Sequence, residues 1–134
     1  MNVESRAHRI LRSLKLYSPI ELAGGIKAML PPIDSKESWI GVYCNKPNSI
    51  ENAVAFSSEK LYVNKHGTWV SVTYRDILEN KITQNKHEAS EILVRTPNYS
   101  LIVPVHGGDD KVREAFEVLR FLNRVKEDVN RQNS

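Results

Sequence analysis

The sequence contains a single cysteine, Cys44, in 134 residues. A lone cysteine cannot form an internal disulfide, so nothing ties the fold to an oxidising compartment. No Cys-x-x-Cys motif is present, and the four histidines, at positions 8, 66, 87 and 106, include no pair at metal-ligand spacing. We therefore expect a cytoplasmic protein with no metal site and no other cofactor.

Long apolar stretches are missing as well. No run approaches the roughly 20 residues that cross a bilayer, and basic side chains interrupt the first 18 residues, unlike the apolar core of a secretory signal. These basic residues are Arg6, Arg9, Arg12 and Lys15. We expect neither a transmembrane segment nor export.

A strong charge imbalance is also absent, because the net charge is only +3. Residues 1–30 hold five Lys or Arg and two Asp or Glu, whereas the two signs balance in the rest of the chain. Interleaved charges are typical of a solvated surface rather than of a surface that follows a phosphate backbone. We expect no nucleic-acid partner, and the formal excess lies in the N-terminal segment.

The composition that remains is that of one globular domain. Hydrophobic residues make up 40% and charged residues 26%, which predicts a packed core rather than disorder. The length is near the commonest single-domain size, and no internal repeat divides the chain.

Residues 1–30 are predicted to form a helical extension that packs on the domain. Five apolar residues recur at helical spacing and share one face: Val3, Ala7, Ile10, Leu11 and Leu14. A second helix is predicted from Ser18-Pro19-Ile20-Glu21, where Ser18 can cap, Pro19 suits the first helical position and Glu21 can complete a capping box. Its predicted apolar face consists of Leu22, Ala23, Ile26, Met29 and Leu30.

From residue 38 the sequence changes to short β-type runs separated by turn residues. Seven strands are predicted, near Trp39–Cys44, Asn52–Ser57, Lys60–Asn64, Thr68–Tyr74, Lys81–Gln84, Glu91–Thr96 and Tyr99–Val105. Strands of this length and spacing indicate a small antiparallel barrel or sandwich.

The chain closes with an amphipathic helix that is predicted to run from the Gly107–Asp110 turn to about Asn130. Its apolar stripe consists of Val112, Ala115, Phe116, Leu119, Leu122, Val125 and Val129, widened by Val118 and Phe121. Asp109 and Asp110 suit the positive end of the helix dipole. Residues 131–134 are expected to fray.

This order of elements resembles a bacterial pleckstrin-homology-like (PH-like, GRAM-like) domain over residues 38–128. Two stretches carry the resemblance: Ala55 to Val63 followed by Trp69–Ile77, and Phe116–Val125 after Gly107-Gly108. The resemblance implies an α+β fold, in which a seven-stranded antiparallel barrel or sandwich is closed by the C-terminal helix. It does not imply lipid binding, because the loop that is rich in Lys and Arg in lipid-binding members offers only Lys46 here.

Two local motifs have alternative interpretations. Cys44 with a histidine is a conceivable nucleophile, but a buried cysteine at a strand end is the commoner case. The His106–Asp110 turn resembles a glycine-rich phosphate cradle, yet its two aspartates repel phosphate and favour an acidic helix cap. The strand aromatics Trp39, Tyr43, Trp69 and Tyr74 are expected in the core.

No catalytic constellation is visible, so the leading hypothesis is a non-catalytic module that binds another protein, an immunity-type inhibitor being one example. The alternative is peripheral membrane association through the basic N-terminal helix, with Arg6, Arg9, Arg12 and Lys15 as the binding residues. An enzyme whose site is assembled from distant residues is the third hypothesis. Self-association into a homo-oligomer is left open.

Overall fold

The computed structural model describes residues 2–47, 49–85, 87–107 and 111–132, with only the backbone of Lys111 and Gln132. The described residues form two α-helices, α1 (Val3–Ile10) and α2 (Lys111–Gln132). Eight strands lie between them: β1 (Tyr17–Pro19), β2 (Trp39–Tyr43), β3 (Val54–Ser57), β4 (Lys60–Lys65), β5 (Thr68–Thr73), β6 (Glu79–Lys81), β7 (Glu91–Arg95) and β8 (Ser100–Pro104). Short 3-10 helices occupy Ile20–Leu22, Gly24–Met29 and Tyr74–Asp76.

The strands form two antiparallel sheets in which neighbours in sequence are neighbours in space. The first sheet has the order β1-β2-β3-β4-β5 and the second the order β6-β7-β8. The predicted α+β class, the antiparallel pairing and the C-terminal helix are confirmed. Of the two predicted arrangements, barrel or sandwich, the strands are not closed into a barrel, because no strand of the first sheet pairs with a strand of the second over the described residues.

Side chains rather than strand pairs join the two sheets. The Asn45 amide donates to the carbonyls of Asn52 (2.7 Å) and Pro104 (2.9 Å), while its oxygen accepts from the backbone N–H of His106 (2.7 Å). At another point of contact the Tyr99 hydroxyl donates to the Ser71 carbonyl (2.8 Å). Two of the acceptors, the carbonyls of Ser71 and Pro104, belong to strands at the ends of the sheets, β5 and β8.

The main core lies between the inner face of the first sheet, the second sheet and the two α-helices. The fully buried apolar residues of α2 are Ala115, Val118, Phe121, Leu122 and Val125. All five belong to the predicted stripe and its widening, so the stripe is confirmed in large part, but its centre lies closer to Val118 and Phe121. Phe116, placed on the stripe by its spacing, is 42% exposed, and Leu119 is only half-buried.

Helix α1 forms as predicted but is shorter than the apolar pattern suggested. Asn2 caps it by accepting from the backbone N–H of Ser5 (2.8 Å). The helix ends at Ile10, and Leu11 and Leu14 reach the core from the turns that follow. The buried apolar residues pack this segment on the domain.

The predicted second helix is wrong. Ser18 and Pro19 lie in β1, opposite Val42 and Gly41 of β2, because pairing with a sheet edge outweighs the local capping signal. The chain then continues in 3-10 turns, and Gly24 has a φ of +59°, which an α-helix does not permit. We call residues 20–38 the outer strap.

The outer strap covers the outer face of the first sheet. Its apolar residues Ile26, Leu30 and Ile33 pack against a second cluster on that face. The cluster consists of Val42, Ala53, Ala55 and Tyr62, with Trp39, Cys44, Ile50 and Trp69 around them. Of the predicted face of the second helix, Leu22 (69%) and Met29 (44%) are exposed.

Two further boundaries differ from the sequence predictions. The fifth predicted strand, residues 81–84, is displaced to Glu79–Lys81, because the Gln84 side chain instead accepts from the backbone N–H groups of Ser90 (2.7 Å) and Glu91 (3.0 Å). Helix α2 runs through residue 132, two residues beyond its predicted end near Asn130. The predicted acidic cap, Asp109 and Asp110, and residues 133–134 lie outside the described residues.

Candidate interaction site

The four predicted binding residues do not form one surface. Arg6 points at α2, where its Nε donates to Asp128 Oδ2 (2.8 Å) and its Nη2 to Oδ1 (3.0 Å). The two side chains are 17% and 8% exposed. This bidentate bond, helped by the charge of Arg6, holds the pKa of Asp128 below its ordinary value of 3.8. Arg6 is therefore an anchor that joins the two helices.

Arg9, Arg12 and Lys15 remain exposed, and we call them the basic surface. Arg9 lies in the last turn of α1, whereas Arg12 and Lys15 lie in the turns beyond its end. Over the described ranges, none of the three makes an ion pair. The Lys15 backbone N–H donates to Glu114 Oε2 (3.3 Å), which ties this turn to α2.

The apolar face of the N-terminal segment is occupied by the protein itself. Ala7 and Leu11 are fully buried, and Ile10 and Leu14 are at most 5% exposed. A helix that lies on a membrane buries such residues among the lipids. Here they are part of the main core, so insertion would require α1 to leave the domain.

A buried carboxylate that the sequence analysis did not identify lies beneath the basic surface. Glu114 is fully buried in α2, and its Oε1 accepts from the Tyr43 hydroxyl (2.8 Å). Burial, and then the bond to Glu114, raises the pKa of Tyr43 above its ordinary value of 10.0. No local signal marked this position, because a glutamate between apolar helix residues is usually exposed.

A second buried carboxylate ends the outer strap. Glu37 is 8% exposed and accepts from the hydroxyls of Ser57 (2.6 Å) and Tyr62 (2.8 and 3.0 Å). Although a serine beside a carboxylate resembles part of a hydrolase site, Ser57 is fully buried. Its oxygen also accepts from the backbone N–H groups of Glu59 (3.1 Å) and Lys60 (2.9 Å). The cluster fixes the strap to the β3–β4 turn.

Cys44 and His66 occupy different environments. Cys44 is half-buried, and burial raises the pKa of its thiol, which disfavours the reactive thiolate. His66 lies in the β4–β5 turn with a φ of +54°, followed by Gly67 at +85°, the conformation of a tight hairpin turn. Among the described residues, no three His, Cys, Asp or Glu side chains are grouped to hold a metal ion.

The predicted core aromatics divide between the two faces of the first sheet. Tyr43 and Tyr74 are buried in the main core. Trp39 and Trp69 are half-buried beside the outer strap, with the Trp39 ring centroid 4.9 Å from that of Tyr62. The tryptophans thus help to seat the strap and keep partial contact with solvent.

A cleft of about 250 Å³ opens beside the Arg6–Asp128 pair. Its walls come from the start of α1, the end of α2 and the turns next to β2, β4 and β5, with Glu59 and Arg75 among the lining residues. Its lining mixes charges of both signs with serine and threonine hydroxyls. This composition does not single out one ligand chemistry.

No helix in the described ranges is long and apolar enough to cross a membrane. Comparison of the chain with protein-family models, with curated proteins and with solved structures finds no match.

Proposed function

We propose that this chain is a non-catalytic, PH-like protein-binding module that holds an acidic surface of another protein against Arg9, Arg12 and Lys15. The observation that carries the proposal is that these three cations are exposed and have no carboxylate partner in the described chain. Three other exposed cations, Lys46, Lys81 and Arg95, do lie beside carboxylates.

Hydrogen bonds to α2 hold the segment that carries the basic surface. The Arg6–Asp128 pair fixes α1 to α2, and the bond from the Lys15 backbone to Glu114 fixes the turn that follows. Charges held on a rigid support lose less conformational freedom when a partner binds. Complementary charge also accelerates association, and salt weakens this effect.

The PH-like part of the proposal rests on the order of elements. Strands β2 to β5 form one antiparallel meander, β6 to β8 form another, and α2 follows, as in the domains that the sequence resembles. Three features depart from that pattern: the additional strand β1, the outer strap, and the lack of strand pairing between the two sheets over the described residues. Fold alone does not supply a function, so the binding proposal depends on the basic surface.

The test is co-purification with tagged protein from native lysate, at low and high salt. Arg9, Arg12 and Lys15 are replaced together by glutamine, and the control variant replaces Lys27, Lys36 and Arg75, which are also exposed and outside the ion pairs described. The expected result is a salt-sensitive acidic partner that is lost in the first variant and kept in the control. Equal recovery with both variants would contradict the proposal.

Anionic vesicles form a second arm of the experiment. Because the apolar face of α1 is buried, we expect no stable sedimentation of the wild-type protein with vesicles that contain phosphatidylserine. Salt-sensitive sedimentation that requires Arg9, Arg12 and Lys15, without a protein partner, would replace the proposal by membrane association.

A further inference from the structure

The four strands at the ends of the two sheets differ in how they are protected from pairing. β1 has only three residues and ends in Pro19, β6 has three residues and carries Glu79 and Lys81, and β8 ends in Pro104. Short length, charge and proline are the features by which proteins keep a sheet edge from pairing with another chain. β5 is six residues long, contains neither a charge nor a proline, and keeps an unbroken register with β4.

The backbone of β5 presents a regular set of hydrogen-bonding groups at its free edge. The Tyr74 N–H donates to the Glu59 carbonyl just beyond the end of the strand. Because hydrogen-bonded pairs alternate along an antiparallel ladder, Val72 and Val70 bond to β4, whereas the residues that alternate with them do not. The N–H and C=O groups of Trp69, Ser71 and Thr73 therefore point away from β4. All three residues are partly exposed.

One side chain from the turn between β7 and β8 contacts this edge. The hydroxyl of Tyr99, a residue that is 46% exposed, donates to the Ser71 carbonyl (2.8 Å). Among the described residues, it is the sole partner of the six edge-facing backbone groups. Another strand can replace this single hydroxyl by a backbone N–H, and its other N–H and C=O groups can pair with the edge groups that Tyr99 leaves without a partner.

We infer that the free edge of β5 pairs with β5 of a second copy of this chain, antiparallel, with Ser71 opposite Ser71. In this register the two Ser71 residues exchange both backbone hydrogen bonds, because their N–H and C=O groups both face outward. Trp69 of each copy lies opposite Thr73 of the other, and Val70 lies opposite Val72. The two five-stranded sheets become one continuous sheet of ten strands.

A second copy fits because the strand is nearly symmetric about its centre. Valine stands on both sides of Ser71, and the two valines continue the inner, apolar face of each sheet. Trp69 opposite Thr73 is an aromatic and β-branched pair, a favourable combination across strands. No charged residue lies in the strand, so the two-fold arrangement sets no like charges against each other.

The first test removes only the edge-facing N–H. Ser71→Pro keeps the ladder to β4, since that N–H does not bond to β4, and proline is tolerated on the outer side of an edge strand. Sedimentation velocity over a concentration series should show a monomer–dimer equilibrium for the wild type. Its association constant should fall at least about tenfold in Ser71→Pro. Ser71→Ala is the matched control and should dimerise as the wild type does.

The second test identifies the symmetric register and does not depend on proline. Ser71→Lys or Ser71→Glu places like charges opposite each other at the two-fold axis, so each variant alone should be monomeric. An equimolar mixture of the two should dimerise again. No other register predicts this recovery at position 71. Circular dichroism and thermal melts of each variant establish that the fold is retained.

The third test uses the residue that competes for the edge. Tyr99→Phe removes the hydroxyl that bonds to Ser71, so it should raise the dimer association constant. A wild-type protein and a Tyr99→Phe variant that both remain monomeric over the whole concentration series would overturn the inference. So would a dimer that persists in Ser71→Lys, or an edge-dependent complex with a different protein in place of the self-dimer.

Discussion

The ring of Tyr17 lies directly against the backbone of Gly41, across the pairing between β1 and β2. A Cβ atom on Gly41 would overlap the ring and hydroxyl of Tyr17, which is 6% exposed and packs edge-on against Phe56 with centroids 6.1 Å apart. The buried ring has little room to move. The glycine at position 41 thus allows β1 to pair with β2 at the end of the first sheet.

Gly41→Ala should therefore reduce the free energy of unfolding by about 1–3 kcal/mol, the usual cost of overpacking a core. Gly25→Ala is the control, because a Cβ there meets nothing within 4 Å, and it should change stability by less than about 0.5 kcal/mol. Chemical denaturation of both variants measures the difference. Equal midpoints would show that Tyr17 does not cover Gly41.

Leu122→Ala should destabilise the protein by about 2–5 kcal/mol, because Leu122 is fully buried in α2. Leu119 is half-buried, so Leu119→Ala leaves a smaller cavity and should cost clearly less. Denaturation curves for the two variants test which face of α2 enters the core. A larger loss at Leu119 than at Leu122 would show that Leu119 is the more deeply buried of the two.

Tyr43→Phe removes the hydroxyl that donates to the buried carboxylate of Glu114. Leaving a buried acceptor without this partner should cost about 1–3 kcal/mol. Tyr99→Phe also removes a hydroxyl that donates, but at an exposed site, and should cost less. If both variants unfold at the same denaturant concentration, Glu114 is reached by solvent.

Alkaline pH should unfold the protein because burial is the leading cause of raised pKa values for Tyr17, Tyr43, Tyr62 and Tyr74. A group whose folded pKa is raised contributes stability below its ordinary value, here 10.0, and loses it as the pH rises beyond. Tyrosinate absorbance and circular dichroism should therefore change together above about pH 10. Full ionisation of these tyrosines with an intact circular dichroism spectrum would contradict their burial.

Acid should weaken the attachment of α1 to α2, because it protonates Asp128 and so weakens the Arg6–Asp128 pair. Since the folded pKa of Asp128 is lowered, its contribution is present above the ordinary value of 3.8 and is lost as the pH falls through the folded value. Asp128→Asn should be less stable than the wild type at pH 7, and the difference should shrink below about pH 4. A difference that is constant with pH would show that the loss comes from packing and not from charge.

Short-range patterns predicted most of the elements. The strands near residues 39–44, 60–64, 68–74 and 91–96 were recognised because turn residues bound runs of β-branched and aromatic side chains, and both signals act within a few residues. The start of α1 and the length of α2 followed from spacing in the same way. The sequence also located the unbalanced positive charge in residues 1–30.

The tertiary structure decided what depends on residues far apart in sequence. Ser18-Pro19 is typical of a helix start, yet these residues pair with the edge of β2 and form part of a strand. Arg6 was indistinguishable from Arg9 and Arg12 until Asp128, 122 positions away, lay within hydrogen-bonding distance. Likewise, Glu114 is buried because Tyr43 and the Lys15 backbone converge on it. Composition and periodicity report local preference, whereas a partner for a buried charge or for a free strand edge exists only once the chain has packed.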